Sequence, residues 1–453
     1  MLIKLFESEK FKKTIHFFIS MIQGGNLLSN HGGNTISHFR PFSWWVLFFI
    51  PASMVQIHFK SHYFTIVDAI LVIFSILAIL TAVVAKSSSN IDMKYLGSYV
   101  LIFLTYIGII SLGFVYADNK AGVIKEFGKW AEIFLISIGT IFYVKNCSRR
   151  FANLYWALFF TLLGILLLHL LKNVSNGNFF ARMWAPADWA VIISLPFLEA
   201  IWIQSVFLLI LFYSLILSYS RLSWASAIVA IVLFMFLAGK KKFPIQHIRN
   251  FLFFTISIWG IIIFLVPNFK TIITNRIIIT FKTNPTNKTN PKTKRHKPLI
   301  AGEDWDQSAF TRKAMIKASF EDLMHHPILG VGAGNFKSHI LSKKNNINFW
   351  LSPEDLPNSP HNVFFQVAAE LGLPGLFVFS ILILSILYGI KRGYAYSTSH
   401  EHFTPYCIGM LLFTIPLFET LLSSNIGEFT RVIWGLYFGL AISMINQDYN
   451  KSS

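Results

Sequence analysis

Apolar runs of about 17 to 23 residues recur along this chain, and each is long enough to cross the hydrocarbon core of a bilayer as a helix. Of the 453 residues, 54% are hydrophobic and only 13% are charged, whereas soluble domains carry about 25% charged residues. A transmembrane β-barrel would show segments of about ten residues with alternating polarity, and the sequence lacks that pattern. The sequence therefore predicts an all-α polytopic membrane protein.

Twelve transmembrane helices are predicted, with one large periplasmic loop late in the chain. The apolar run over 187–219 would form a helix of about 48 Å, longer than the hydrocarbon core of about 30 Å, so we divide it into two short helices. The predicted spans are 43–58, 63–85, 95–116, 130–144, 152–171, 188–199, 201–218, 222–238, 249–267, 373–390, 403–421 and 428–446.

Lysine and arginine set the predicted orientation, because short cytoplasmic loops are enriched in these residues. The bias agrees with twelve spans and with both ends of the chain in the cytoplasm. The predicted organisation is a basic cytoplasmic segment at 1–42, transmembrane helices 1–9 at 43–267, a periplasmic loop at 268–360, a histidine-bearing helix with transmembrane helices 10–12 at 361–446, and a cytoplasmic tail at 447–453.

The formal net charge of +18 would raise nucleic acid as a partner for a soluble protein. Most of the excess lies in short loops, where it orients the chain and faces anionic membrane lipids. We therefore expect membrane lipids, and no nucleic acid, as partners. Cys147 and Cys407 are far apart and form neither a disulfide framework nor a metal motif.

The predicted outer loop has two parts. Residues 281–298 are basic, low in complexity and nearly free of apolar side chains, which predicts a disordered arm. This arm is either a guide for anionic lipid headgroups or a tolerated insertion. Residues 306–325 predict an amphipathic helix, capped by Asp306 or Ser308, that lies on the membrane or on the bundle. Its expected apolar face consists of Phe310, Met315, Ile316, Phe320 and Leu323.

His361 is the candidate general base. It begins an apolar, helix-compatible run that ends at Leu371, and the sequence at 372–375 (Gly-Leu-Pro-Gly) then bends the chain into the next span. A neutral imidazole can accept a proton from a hydroxyl near pH 7, and the positive end of a helix favours the neutral form. The alternative is a surface histidine that only caps the helix.

Three arginines are candidate diphosphate ligands, because a guanidinium group donates bidentate charged hydrogen bonds. Arg182 and Arg221 are expected at the outer ends of spans, and Arg312 on the outer amphipathic helix. Each has a plainer alternative: Arg221 can be an interfacial anchor, Arg182 can pair with Asp188, and Arg312 can be a solvated helix charge. Apart from a carboxylate group at 303–306, side chains arranged for a catalytic divalent metal are lacking, so we predict no metal and no cofactor.

Three short motifs carry a resemblance to a known family. A His-Asn pair is followed after nine residues by Gly-x-x-Gly at 361–375, a His-Pro-x-x-Gly-x-Gly element with a later Phe lies at 326–336, and a Ser-Arg-x-x-Trp element lies at 220–224. Together they resemble the O-antigen ligase and O-antigen polymerase superfamily of bacterial envelope glycosyltransferases, over roughly 180–445. Leu222 stands where the family often has glycine.

The resemblance implies an O-antigen ligase. The donor would be a glycan on undecaprenyl diphosphate, the acceptor a sugar of the lipid A–core oligosaccharide, and the site would face the periplasm from the bacterial inner membrane. The reaction would invert the anomeric centre without a metal. His361 would be the base, while Arg221 and Arg312, with Arg182, would hold the diphosphate.

Other functions stay open. Within the superfamily, the chain could be an O-antigen polymerase or a protein O-oligosaccharyltransferase. From another class, it could be a flippase or transporter of lipid-linked glycans, which should place ionisable groups within its spans; Glu199 and Glu419 are the few candidates. The sugar, the linkage and the oligomeric state are not indicated.

Overall fold

A computed structural model describes the chain at residues 56–59, 62–65, 93–144, 150–159, 221–240, 304–342, 362–397, 404–423 and 430–446, and at single positions between these ranges. The described parts are predominantly helical. The helices with defined bounds are α1 (Met93–Tyr116), α2 (Lys120–Val144), α3 (Arg221–Lys240), α4 (Asp304–His325), α5 (Phe336–Ser342), α6 (Val363–Ser397), α7 (Thr404–Ser423) and α8 (Thr430–Ser443), followed by a 3-10 turn at Met444–Asn446.

Apolar helices confirm the prediction of a helical membrane protein for this part of the chain. Four of them are long and apolar enough to cross a bilayer, namely Tyr95–Tyr116, Lys120–Val144, Val363–Ala395 and Thr404–Leu422. Two shorter apolar helices cover Ala225–Phe234 and Arg431–Ser443. The predicted count of twelve spans and the predicted division of 187–219 depend mainly on residues outside the described ranges. The basic arm at 281–298 and both chain ends also lie outside these ranges.

A short β-hairpin departs from the all-α prediction. Strand β1 (Gln56–Phe59) pairs antiparallel with β2 (His62–Thr65), so that Phe59 faces His62 across a two-residue connection. The end of the predicted span 43–58 and the start of 63–85 are therefore extended. Aromatic and β-branched residues favour extended backbone, and the pairing satisfies the backbone polar groups with which the two strands face each other.

Helix α2 begins ten residues before the predicted span at 130–144. The side-chain oxygen of Asn119 accepts a hydrogen bond from the Gly122 backbone N–H at 3.2 Å, which is the bond an N-cap residue makes. Among the polar residues in the first turns of α2, Lys120 and Lys125 are exposed, while Glu126 and Lys129 form an ion pair with each other. The prediction missed these turns because it followed hydropathy alone.

Helices α2 and α8 run parallel and pack closely through small residues. Gly435 of α8 lies against Ile136, and Gly439 lies against Thr140, one turn further along both helices. This glycine spacing lets the backbones of membrane helices approach closely. A buried ion pair, with 2.8 Å between Arg431 Nη1 and Glu132 Oε2, fixes the register between the start of α8 and the middle of α2.

The remaining contacts set the direction of each helix. Helix α6 is antiparallel to α1, since Tyr388 stacks on Tyr95 while Phe379 contacts Tyr106. Helix α7 returns antiparallel to α6, because the Cys407 thiol near its start reaches the Gly393 carbonyl near the end of α6. Helices α2 and α3 therefore begin, and α1 and α7 end, at one end of the bundle, which we call the loop end. Helix α8 begins deeper in the bundle, because Arg431 meets Glu132 in the middle of α2. The first turn of α6 also lies deeper, since the Phe364 ring contacts Phe379, which packs against Tyr106.

We expect Gly439→Ala to destabilise the bundle, because the added methyl group would overlap Thr140 and the Ser137 carbonyl. Overpacking of this kind costs about 1–3 kcal/mol. The melting temperature of the protein in detergent, followed by fluorescence-detected size-exclusion chromatography, should fall. Gly108→Ala is the matched control, since a methyl group there meets nothing within 4 Å. Equal melting temperatures for the two variants would contradict the close packing of α2 and α8.

Candidate functional site

The glycine-rich segment at 326–335 packs against a kink in helix α6, which joins two of the sequence motifs. Gly372 interrupts α6 with φ 68° and ψ −168°. Gly330, Gly332 and Gly334 also have positive φ, at 66°, 95° and 68°, a region that other residues rarely adopt. A side chain at Gly330 would overlap the Glu370 backbone, and one at Gly372 would overlap the Ile328 carbonyl. The glycines are therefore required by the close approach of two backbones.

The kink frees backbone groups of α6, and the glycine-rich segment satisfies them. Pro374 has no N–H, so nothing within the helix can donate to the Glu370 carbonyl; the Gly332 N–H does so at 2.9 Å. The Leu373 N–H bonds the Pro327 carbonyl at 2.8 Å, which leaves the Ala369 carbonyl to the Val331 N–H at 2.9 Å. Three backbone hydrogen bonds thus hold the segment to the helix.

The Glu370 side chain adds a fourth connection. It is only 4% exposed, and its carboxylate accepts hydrogen bonds from the Gly334 N–H at 2.9 Å and the Phe336 N–H at 3.4 Å. The Gln366 amide, one turn earlier on α6, donates to the same carboxylate at 3.3 Å. A buried carboxylate is costly without such donors, so Glu370 couples the segment to the first turns of α6.

Asn335 ties the segment to the turn between α1 and α2. Its side-chain oxygen accepts the Asn119 N–H at 2.8 Å, and its amide nitrogen donates to the carbonyls of Asn119 at 3.1 Å and Ala333 at 2.9 Å. Gly122 and Gly334 lie in backbone contact, and a side chain on either would overlap the other. The glycine-rich segment is therefore clamped between the α1–α2 turn and α6.

A small polar cavity opens between α1, α2, α6 and the segment. Its titratable lining consists of Tyr106, Glu126, Lys129 and Glu370. Lys129 forms an ion pair with Glu126, and both side chains are largely buried. The cavity has room for water-sized groups, so it can hydrate this polar cluster but is too small for a sugar.

The helix that follows His361 begins where the sequence predicted. The Asn362 side-chain oxygen accepts the backbone N–H groups of Phe364 at 3.0 Å and Phe365 at 3.2 Å, so Asn362 is the N-cap of α6. Capping, the alternative role for His361, is thus performed by Asn362. Pro360 is buried, and His361 lies between these two residues, outside the described part of the chain.

Arg221 is the first residue of α3, at the loop end. Its side chain is outside the described residues. Just beyond it, Ser223 and Ser226 donate hydrogen bonds to the Glu419 carboxylate of α7, the latter at 2.6 Å. Glu419 is 6% exposed and therefore anchors the start of α3 to the end of α7. The sequence analysis named Glu419 as an ionisable group that a transporter would place within a span. In the structure, the Glu419 carboxylate holds two helices together.

Arg312 lies exposed on α4. The helix begins at Asp304, before both predicted caps, and packs on α5 and α6 through a face different from the predicted one. Phe320, predicted to face inward, is 54% exposed, although Met315 is fully buried as expected. The buried face consists of Met315, Ala318, Ser319 and Asp322. Small residues occupy most of this buried face because α4 lies close to Ala369 of α6.

Arg182 lies outside the described residues, as do the side chains of Arg221 and His361. The convergence of these three residues with Arg312 therefore stays a prediction. What the structure brings together is the glycine-rich segment, the turn between α1 and α2 and the kink of α6, at the loop end.

The sequence reasoning missed Glu370, Asn335 and Gln366. A signal for Glu370 was present, since it is a carboxylate in an apolar run that stands four residues before a proline. Asn335 follows the last glycine of the motif, but nothing local indicates that it bonds a turn more than 200 positions away in the sequence.

Apolar helices that are long enough to cross a bilayer, with a glycine-rich segment clamped against one of them, indicate an integral membrane protein. Residues 206–380, less than half of the chain, match the family described as O-antigen ligase. The resemblance to the O-antigen ligase and polymerase superfamily is thereby confirmed over that region. No curated protein matches the sequence.

We expect Glu370→Gln to loosen the glycine-rich segment, because an amide nitrogen replaces one of the two acceptor oxygens. Leaving a buried donor such as the Gly334 N–H without its acceptor costs about 1–3 kcal/mol, which corresponds to a factor of about 5 to 150 in the opening equilibrium of the segment. Amide hydrogen exchange of a peptide covering 331–336 should accelerate by about that factor. Glu321→Gln, an exposed carboxylate paired with Lys317, is the control. Unchanged exchange in Glu370→Gln would contradict the clamp.

Proposed function

We propose that this protein is an O-antigen ligase of the bacterial inner membrane. It transfers a glycan from undecaprenyl diphosphate to the lipid A–core oligosaccharide at the periplasmic face. The observation that carries the proposal is the match of 206–380 to the O-antigen ligase family, because this region includes all three motifs. The backbone contact between the glycine-rich segment and the kink of α6 joins two of these motifs and supports a single site.

In the proposed reaction, His361 acts as the general base. Its imidazole takes the proton of an acceptor hydroxyl, and the hydroxyl oxygen attacks the anomeric carbon opposite the diphosphate. A new glycosidic bond forms as the bond from carbon to diphosphate oxygen breaks, and the electron pair leaves with the diphosphate. The anomeric centre is inverted. A position just before the capped start of α6 supports this role, since the positive helix end favours the neutral base.

Arginines stabilise the leaving diphosphate in this proposal. Arg221 stands at the start of α3, where the helix dipole adds to its charge. Arg312 is exposed on α4, which packs against the first turns of α6, and Arg182 completes the set. Guanidinium groups can donate two parallel hydrogen bonds to phosphate oxygens, and their charge is best used where negative charge develops in the transition state.

Deleting the gene and complementing with His361→Ala tests the reaction. For a ligase, lipopolysaccharide on a gel should show core-only bands, because the glycan stays on its lipid carrier. Complementation with His325→Ala, an exposed histidine at the same end, should restore full ladders. Core plus a single repeat in His361→Ala would indicate a polymerase. Full ladders in His361→Ala would remove His361 from the mechanism.

Arg221→Ala should reduce the amount of glycan-bearing lipopolysaccharide by about 100-fold at matched protein levels, the loss typical for one electrostatic catalytic group. Arg221→Lys should recover only part of it, because lysine keeps the charge but not the bidentate geometry. The control is Arg392→Lys, an exposed arginine near the distal end of α6. Wild-type ladders from Arg221→Ala would exclude a role in holding the diphosphate.

A further inference from the structure

Two described spans present apolar stripes that no part of the described chain covers. On α1, Leu112 and Val115 are 48% and 83% exposed, and on α6, Leu373 and Phe377 are 53% and 66% exposed. Further along α6, Leu384 is also exposed. On helices long enough to cross a bilayer, exposed apolar side chains face the acyl chains, because lipid tails are as apolar as leucine.

A turn outside the spans fills the gap between these stripes at the loop end. The turn contains Ile328 and Leu329, which are 69% and 45% exposed. The Leu373 N–H, at the start of the α6 stripe, bonds the Pro327 carbonyl at 2.8 Å. The Tyr116 hydroxyl, at the end of the α1 stripe, donates to the Leu329 carbonyl. The two apolar side chains are thus held next to both lipid-facing stripes.

Several backbone groups of the turn have partners within the protein, which lowers the cost of an apolar surrounding. Pro327 has no N–H, and the carbonyls of Pro327 and Leu329 accept hydrogen bonds from the Leu373 N–H and the Tyr116 hydroxyl. The Gly330 N–H bonds the His326 carbonyl at 3.0 Å, and the Val331 N–H bonds α6. Immediately before the turn, His325 and His326 are exposed polar side chains, which suit the headgroup region.

We propose that the Ile328–Leu329 turn is inserted among the acyl chains of the leaflet at the loop end. The occupant of this surface is membrane lipid, because the turn is continuous with the lipid-facing stripes of α1 and α6 on both sides. Insertion fixes the depth of the glycine-rich segment and, through Leu373, of the kink in α6. The proposal does not depend on the reaction that the protein catalyses.

The test measures the depth of nitroxide labels in the full chain, reconstituted in phospholipid nanodiscs. Labels are placed at Ile328→Cys and Leu329→Cys, with Leu384→Cys as the acyl-chain reference and Lys317→Cys as the aqueous reference, since the Lys317 side chain is 79% exposed on α4. All carry Cys147→Ser, and Cys407 is buried. Electron paramagnetic resonance then compares label access to oxygen, which concentrates in acyl chains, with access to a water-soluble nickel complex.

The expected result is a ratio of oxygen to nickel access at Ile328 and Leu329 that is shifted from the Lys317 value towards the Leu384 value. A ratio equal to that of Lys317 at both positions would overturn the proposal, because the turn would then be in water. Spin–spin broadening between labels on two copies, with low access to both reagents, would also overturn it, because the surface would be covered by a second chain. Elution as a single symmetric peak verifies that each labelled protein is folded.

Discussion

The kink at Gly372 is the constraint on which the loop end depends. Pro374 removes an N–H and Gly372 leaves the helical conformation, so α6 has backbone carbonyls that it cannot satisfy by itself. In a membrane protein such groups need partners from another element. The glycine-rich segment supplies them, and it can come close enough only because Gly330 has no side chain. The motif at 326–336 and the motif at 361–375 therefore supply the two sides of the same set of hydrogen bonds.

This interaction orders the elements that would carry the reaction. The Glu370 side chain, next to the kink, accepts a hydrogen bond from Gly334 of the glycine-rich segment. It also accepts one from Gln366, which lies closer to the capped start of α6. On the other side of the loop end, Glu419 anchors the start of α3. Both carboxylates are buried, and each accepts hydrogen bonds from neighbouring donors. Buried polar groups with full hydrogen bonding favour one unique arrangement over alternatives of similar apolar burial.

Hydropathy predicted the helices well where burial in lipid decides the structure. The predicted spans at 95–116 and 403–421 agree closely with α1 and α7. Hydropathy failed where contact with another element of the protein decides the structure. Helix α2 begins at a cap that the Asn119 side chain provides, and the buried face of α4 follows the small residues that fit against α6. The hairpin at 56–65 formed where apolar residues suit a strand as well as a helix.

The sequence by itself determined the membrane class, the helical periodicity and the motifs, because these depend on hydrophobicity and on residue types within short windows. The match to the O-antigen ligase family covers the same motifs. Only the tertiary structure decided which motifs touch, because the hydrogen bonds of Asn335 to Asn119 and of Gly332 to Glu370 join residues far apart in the chain. Such contacts depend on how whole helices pack, and no local pattern encodes them.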